Sequence, residues 1–590
     1  MAHKLSRIDI FNFKSIIDHS FILSDYTPLI GYNNAGKTNL IKAIKWLLRK
    51  SSLASDHFYD SEQEIVIIGK IEGITEELLQ TLSANQRNSL LPFVYNESIE
   101  IKRVQFRPGD SATNIRLFIK NPNAENDEDI WRVNPNGIDQ AIANLFPEPI
   151  HIGAMENAEE DVSKYKTSST IGKLLAEIIA PIEEQHGANV REALQGFHSL
   201  LDAEGPNRAQ ELIDFDRAMN NKIDDFFPDV SVKLHIPTPE LKEVFNKGTI
   251  KVYEGNGIGR DVASYGHGAQ RSIQMALIRH LAEIKRVANN QTTRTLLLID
   301  EPELYLHPQA IEVIKDALKE LSKEGYQIIF STHTAMMLTH EDVGNALLIR
   351  KSNDAGTYCR STLRNAIERI EQDAPSQLQL LFSLGNASQI LFSERVILTE
   401  GRTEEKVLPT VVYSILGKTL GYHKCALIKQ GGVANTRKCL LVLHAMNVPA
   451  KAIVDLDYAF RNSIVDGFLN EDDTDIFAAK ALMLQLSQQN NFNLAIDGFP
   501  AKGGDLTPSQ AFSLFATNLQ GQEIVSRLHN KLKAFNIWVW KRGAIEDHLG
   551  LEGKSEAVWA TFCNRCKNEE LIDFILDHAE IVNCINWVIN

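Results

Sequence analysis

Residues 31–38 read GYNNAGKT, and this stretch constrains the fold more than any other part of the chain. It matches G-x-x-x-x-G-K-T, with the apolar run YTPLI before it and NLIKAIKWLL, which has the 3.6-residue period of a helix, after it. Strand, glycine turn and helix N-terminus in that order make a cradle for phosphate, because the turn's N–H groups and the helix dipole both face an anion. Gly31 and Gly36 let the backbone curl around phosphate oxygens, Lys37 reaches the β- and γ-phosphates, and Thr38 offers its hydroxyl to Mg²⁺. Asn34 inside the turn and Asn39 just beyond it are counted with the nucleotide-binding residues.

Two later strands supply the partners such a site needs. TLLLIDEPE ends in Asp300, placed to reach the metal, and Glu301, placed to polarise an attacking water. IIFSTHT ends at His333, within hydrogen-bonding reach of a γ-phosphate.

A length of 590 residues implies roughly two to four domains. The net charge of −15 argues against a protein that merely coats nucleic acid, while leaving room for a nucleic-acid enzyme with a local basic groove or bound Mg²⁺. Six cysteines make no disulfide framework, so a reducing cytoplasm is the expected location. The N-terminal MAHKLSRIDIFNFKS carries no leader pattern, and no stretch approaches the roughly 18 apolar residues of a membrane span.

Along the chain, LSRIDIFNF, SFILSD, EIVIIGKIEGI, SIEIKRVQF and NIRLFIK read as strands. Phe11 and Phe13 in the first of these are expected in the core. Between about 156 and 225 the texture turns helical (TIGKLLAEIIAPIEEQ, VREALQGFHSLLDAE, AQELIDFDRAMNNKIDDFF). Strands return at SVKLHI and GTIKVYE, helix and strand alternate to about 350, and a helical stretch spans about 362–390. A second α/β pattern follows.

FNFKS before the phosphate loop, SYGHGAQRS at 264–272, LLLIDEPELYLHP and STH resemble the ABC-type ATPases of the structural-maintenance-of-chromosomes class, over residues 1 to about 125 and about 230 to 350. The resemblance implies ATP as cofactor. It also implies that Ser264, Gly266, Gly268 and Gln270 form a signature that completes a partner's nucleotide site, with His267 and Ala269 as departures. Arg271 either senses nucleotide across a dimer or pairs with a surface acid. The 156–225 segment is too short for that class's coiled-coil arm and is expected to be a helical dimerisation insert.

The second chemical constellation begins at VILTEGRTEEKVLP, residues 396–409. Its strand delivers Glu400 at its end. Gly401 turns the chain, and Glu404 falls in the first turn of a helix starting near 402, where an acid also serves to cap the helix. AKAIVDLDYAF then ends a strand in Asp455 and Asp457, placed by a period of two on one face. Like charges that close call for a cation between them, and oxygen-only ligands favour Mg²⁺ or Mn²⁺.

These pieces, with IKQGGVANTRKCLLVLHAM between them, resemble the Toprim domain. In its nuclease branch a late glutamate completes the metal site, which corresponds to Glu546 in VWKRGAIEDHL, and a lysine steadies the transition state, here Lys541, Lys554 or Lys567. Two cations about 4 Å apart would hold the scissile phosphate, with Glu400 as ligand or general base.

An ABC-type ATPase followed by a Toprim domain resembles the OLD (overcoming lysogenisation defect) nucleases. The implied fold is α/β: an ATPase domain in two parts (1–155 and 229–390) around a helical dimerisation insert (156–228), then a Toprim nuclease domain (391–590). The implied activity is an ATP-binding, metal-dependent DNA endonuclease, a homodimer or larger, in defence against phage. The rival reading is a DNA-binding ATPase clamp or a sensor that stays silent until a partner, such as a helicase or a reverse transcriptase with its RNA–DNA product, releases it. Two weaker features remain. Cys563, Cys566, His578 and Cys584 have loosely zinc-like spacing but flanks that read as a packed helical face. NEDDTD at 470–475 is either a solvated acidic loop or an extra metal loop.

Overall fold

The structure, a computed structural model, describes residues 3–135, 137–146, 149–153, 185–189, 192, 194–236, 250–255, 257–288, 294–362 and 387–590. It divides into two units, one of Met1–Thr27 with Thr38–Thr332 and one of Pro28–Lys37 with His333–Asn590. TIGKLLAEIIAPIEEQ, except Gln185, and most of the expected 362–390 helical stretch lie outside the described residues.

In the first unit, antiparallel strands run in the order Trp131–Val133, Arg116–Lys120, Ser98–Gln105, Ile65–Glu72, Lys4–Phe13, Ile16–Ile22. Burial alternates residue by residue along IVIIGKIE, as a sheet with one face against a core requires. The same alternation places Phe13 inside. Phe11 shares the outer face with Arg7 and Asp9 and is only half-buried, so the expectation of two core phenylalanines holds for one. A parallel set follows, Tyr326–Thr332 beside Thr295–Asp300 beside Ile150–Ile152. Both longer strands are buried at every position, which is why they read as unbroken apolar runs.

A polar residue lies near the start of the Tyr326–Thr332 strand. Gln327 is fully buried, and its side-chain amide accepts from Leu5 N–H at 3.0 Å and donates to Leu5 C=O at 2.8 Å and Ser24 C=O at 3.1 Å. It satisfies backbone groups that the neighbouring strand cannot reach.

The helix Gln210–Ile223 forms where the pattern places one. SVKLHI forms no strand: Val232 N–H donates to Asn220 Oδ1 and Leu234 N–H to Asp216 Oδ1, so side chains of that helix take the hydrogen bonds a sheet would have supplied. Among its described residues, GTIKVYE contributes the short strand Lys251–Val252.

In the second unit, four parallel strands run in the order Cys425–Lys429, Arg395–Thr399, Ala450–Val454, Ile537–Val539. Val396, Leu398, Ala452, Val454, Ile537 and Val539 point into one apolar cluster, and Ile397, Ile453 and Trp538 into the other. The sheet is therefore covered on both faces. Ile30 and Leu348, two residues of this unit that pair in parallel strands, join the first cluster.

Cys566 and Cys584 are buried in the second cluster, and burial pushes the Cys566 thiol up to about 12. Their burial in that cluster is the packed helical face the flanking residues suggested. In NEDDTD, Glu471 and Asp472 are exposed, while Asp473 caps the Thr474–Asn490 helix and shares Lys531 with Asp475 at 2.7 and 2.8 Å. Arg527 completes the network 2.7 Å from Asp475, so the solvated-loop reading holds for Glu471 and Asp472 but not for Asp473 and Asp475, whose charges are paired within the chain.

Replacing Gln327 with Leu should orphan the Leu5 N–H and C=O, at about 1–3 kcal/mol for each buried group. A urea titration should show a lower midpoint with unchanged slope; an unmoved midpoint would remove this account of the buried glutamine.

Candidate functional site

The phosphate loop forms as the motif requires. Gly36 has φ +105°, and a Cβ there would lie 2.2 Å from Thr357 Oγ1, so only glycine fits. Thr357 donates to Ala35 C=O at 2.9 Å and holds the turn shut. Lys37 begins the helix Lys37–Leu48, and its ammonium donates to the carbonyls of Gly31 at 2.9 Å and Tyr32 at 3.1 Å while lying 3.0 Å from His333 Nε2. Asn34 takes a left-handed conformation at φ 66°.

In the first unit, Thr38 donates to Asp300 Oδ1 at 3.1 Å, and Ser331 donates to the same oxygen at 2.9 Å. Asp300 is thus a buried acceptor at the end of its strand, with His151 Nε2 3.7 Å from its other oxygen. Glu301 adopts φ 47°, and its N–H bonds Ser331. Asn39 Nδ2 bonds Ser15 of FNFKS at 2.7 Å.

The signature stretch lies at the start of the His267–Ala288 helix, where Ser264 and Gly266 are exposed and His267 lies 5.2 Å from the Tyr305 ring. A side chain at Gly268 would meet Tyr305 C=O at 2.7 Å. Gln270 points inward instead, buried, with its amide on Tyr265 C=O. Arg271 is no surface residue: it is 4% exposed and donates to the carbonyls of Asp300 at 2.9 Å and Glu301 at 3.1 Å within its own chain. It fixes the backbone at the acidic strand end.

The Toprim acids assemble at the carboxyl ends of the four parallel strands. Arg395–Thr399 delivers Glu400, whose Oε2 accepts from Asp455 N–H at 3.3 Å. Gly401 opens the Arg402–Leu416 helix, and Glu404 in its first turn is buried. Glu404 folds back toward the strand end, for its Oε2 would stand 3.0 Å from a Cβ at Gly401.

The strand Ala450–Val454 stops one residue short of Asp455. Leu456 has helical dihedrals (φ −61°, ψ −33°), and Asp457 starts a helical turn. The period-two account of Asp455 and Asp457 therefore fails. Buried Leu456 turns the chain into a helix, and the two carboxylates flank that turn. Glu546 arrives on the short helix Ile545–Leu549 after the last strand, where Thr403 Oγ1 donates to it at 2.5 Å.

Of the three candidate lysines, Lys554 stands at the cluster, 3.3 Å from Glu546 and 3.9 Å from Asp455. Lys541 pairs with Glu580 at 3.2 Å, and Lys567 is exposed beside a separate surface cleft.

The electrostatics are those of crowded buried acids. Burial and then the Asp457 charge push the Glu400 carboxyl up to about 7. Burial first, then Glu400 and Glu404, raise Asp455 well above the carboxylate range; burial also raises Glu404 and Asp457. Burial works against the Lys554 charge, yet Asp455 and Glu546 raise its pKa overall. Asp455 Oδ1, Asp457 Oδ1 and Glu546 Oε2 are buried without a hydrogen-bond partner. Oxygen atoms left bare in this way fit a divalent cation. Among the described residues no three such side chains are drawn into a finished metal cage, so the cluster is an open set of donors with Lys554 as its resident positive charge.

Thr403, Ser331 and His151 join these sites without any signal in the sequence. A threonine between an acid-tipped strand and a helical acid, or a serine at a strand end, carries no periodic pattern, and their roles depend on chain segments far away.

Residues 4–338 match the AAA ATPase domain family, and residues 391–457 match the family described as overcoming lysogenization defect protein-like, TOPRIM domain. The Old nuclease of Escherichia phage P2 is 35% identical over an alignment covering all of both chains. The OLD nuclease of Thermus scotoductus is 22% identical over 77% of this chain and 82% of that one, and Endonuclease GajA of Bacillus cereus 24% identical over 69% and 68%. The motif order, the acid cluster at the Toprim strand ends and full-length similarity to the phage P2 protein place this chain in the OLD nuclease family, an ATPase joined to a Toprim nuclease domain.

Proposed function

We propose that this chain is an ATP-controlled, Mg²⁺- or Mn²⁺-dependent DNA endonuclease. The observation that carries the reading is the convergence of Glu400, Glu404, Asp455, Asp457 and Glu546 at one sheet end, with three bare buried oxygens and one lysine. Those five carboxylates would hold the cations, which when bound supply positive charge to the scissile phosphate and acidify water. The chain's own groups do the rest. Asp455 N–H and Thr403 Oγ1 orient Glu400 and Glu546, and Lys554 meets the charge that develops on the phosphate. Glu400 is suited to exchange a proton near neutral pH. Gly31, Asn34, Gly36, Lys37, Thr38, Asn39, Asp300, Glu301 and His333 would bind and hydrolyse ATP with Mg²⁺, and Ser264, Gly266 and Gly268 would serve a second copy's nucleotide. Gln270 is the weakest member of that set, since its amide bonds its own chain.

Dimerisation through the helical insert is supported by exposed Phe215, Phe226 and Phe227 on and beside the Gln210–Ile223 helix. Family membership supports a role in defence against phage, alone or with a helicase or a reverse transcriptase and its RNA–DNA product. Among the described residues no helix is long and apolar enough to cross a membrane, in keeping with cytoplasmic action on DNA.

Supercoiled plasmid incubated with Mg²⁺ or Mn²⁺ should become nicked or linear with the wild type and stay intact with Asp455→Ala, which should still bind ATP. Cutting by that variant would refute the assignment, and ATP-free lanes give the sign of nucleotide control.

Lys554→Ala should slow cleavage by on the order of 10²–10³-fold, the usual effect of losing one preorganised donor. The same change at Lys541 or Lys567 should leave the rate within a few-fold; an equal loss at all three positions would withdraw the choice of Lys554.

Burial and repulsion raise the folded-state carboxyls above their unfolded values, so the metal-free folded chain binds more protons than the unfolded one. This cluster's contribution to stability must then fall as pH rises through about 7, where Glu400 ionises. Cations bind the ionised form, so the rise in melting temperature on adding Mn²⁺ should be larger at about pH 8 than at about pH 6. A Mn²⁺ effect independent of pH would count against a carboxylate cluster.

A further inference from the structure

We propose that a cleft at the amino-terminal ends of the Toprim strands, the end of the sheet away from the acid cluster, is a binding site for a phosphate-bearing nucleotide. The cleft has a volume of about 700 Å³, within the size range of small-ligand sites. Its wall carries Arg395, the first residue of its strand, Lys451, near the start of the adjacent strand, and Arg437 on the Thr436–Ala445 helix. Among the described residues, none of these three cations has a carboxylate at ion-pair distance. Lys451 donates to Trp587 C=O at 2.5 Å and lies 4.8 Å from that indole ring, which leaves ammonium donors for a ligand. Asp466, the carboxylate in the lining, feels the Arg437 charge but is engaged by the Tyr458 hydroxyl at 2.7 Å.

Three cations gathered in one cleft without ion-pair partners repel one another, and that repulsion calls for an anion. Lys451 registers that repulsion: burial first, then Arg395 and Lys533, hold its ammonium below the ordinary lysine range. The lining of the same cleft is also aromatic. Phe468 and Phe535 have ring centroids 5.2 Å apart, and Phe535 is 48% exposed. Cations and an exposed phenyl ring in one cleft match a phosphate and a base in one molecule. Two sources share that chemistry, a free nucleotide and the terminal nucleotide of a nucleic-acid strand.

The test uses the full chain with Lys37→Ala to silence the phosphate loop, in EDTA to empty the acid cluster. Equilibrium dialysis with deoxyadenosine monophosphate should show binding that weakens at least tenfold when Arg395→Ala and Lys451→Ala are added. Melting temperature and near-ultraviolet circular dichroism should stay unchanged. If the combined variant is misfolded, Phe535→Ala serves alone: it should weaken the nucleotide while leaving inorganic phosphate unaffected. A 5′-phosphorylated tetranucleotide that binds more tightly than the monophosphate identifies a strand end as the occupant, and the reverse identifies a free nucleotide. The proposal is overturned if deoxyadenosine monophosphate does not bind the Lys37→Ala chain, if the folded combined variant binds it equally, or if inorganic phosphate competes as tightly as the nucleotide.

Discussion

Mutual repulsion among buried carboxylates governs the Toprim half of this protein. Glu400, Glu404, Asp455 and Asp457 are each driven toward protonation by burial, and Glu400, Glu404 and Asp455 also by one another's or neighbouring charges. Such a cluster opposes folding unless positive charge enters it. Lys554 supplies one charge, and the three bare buried oxygens leave room for more. The site is therefore a strained electrostatic arrangement held open by the scaffold, the condition under which binding a divalent cation is most favourable.

What holds it open is the apolar sheet beneath. The four parallel strands bury alternate residues into two separate clusters, so their carboxyl ends cannot shift without disturbing packing on both faces. The acids are carried on turns just beyond those ends, and local hydrogen bonds set their orientation: Asp455 N–H on Glu400 and Thr403 on Glu546. The phosphate loop follows the same plan, with Thr357 closing the turn at Gly36 and Ser331 and Thr38 converging on Asp300. In both constellations short polar contacts place the reactive groups, while strand burial supplies the stability.

Much of this is legible in the residues alone. Apolar runs ending in acids are local patterns, and each produces a strand within about three residues of its expected end. The departures share one cause. A period of two is visible in sequence and puts Asp455 and Asp457 on one strand, whereas the helical turn at Leu456 depends on burying that side chain. SVKLHI has strand composition, but its hydrogen-bond partners are Asn220 and Asp216 of a helix. Arg271 reads in one alternative as a surface residue and is instead buried, anchoring the backbone at Asp300 and Glu301.

The sequence by itself determined the chemistry available: a phosphate loop, acids at strand ends, and the two-part α/β order, all of which rest on patterns shorter than about twenty residues. Tertiary structure decided which of several equivalent groups take part. Lys554 stands at the acids while Lys541 pairs elsewhere, because its place is set by where the chain returns after its last strand. No local periodicity records that return. Electrostatic coupling falls off with distance in space and takes no account of separation along the chain. For that reason residue identity could be read from the sequence, but partnership could not.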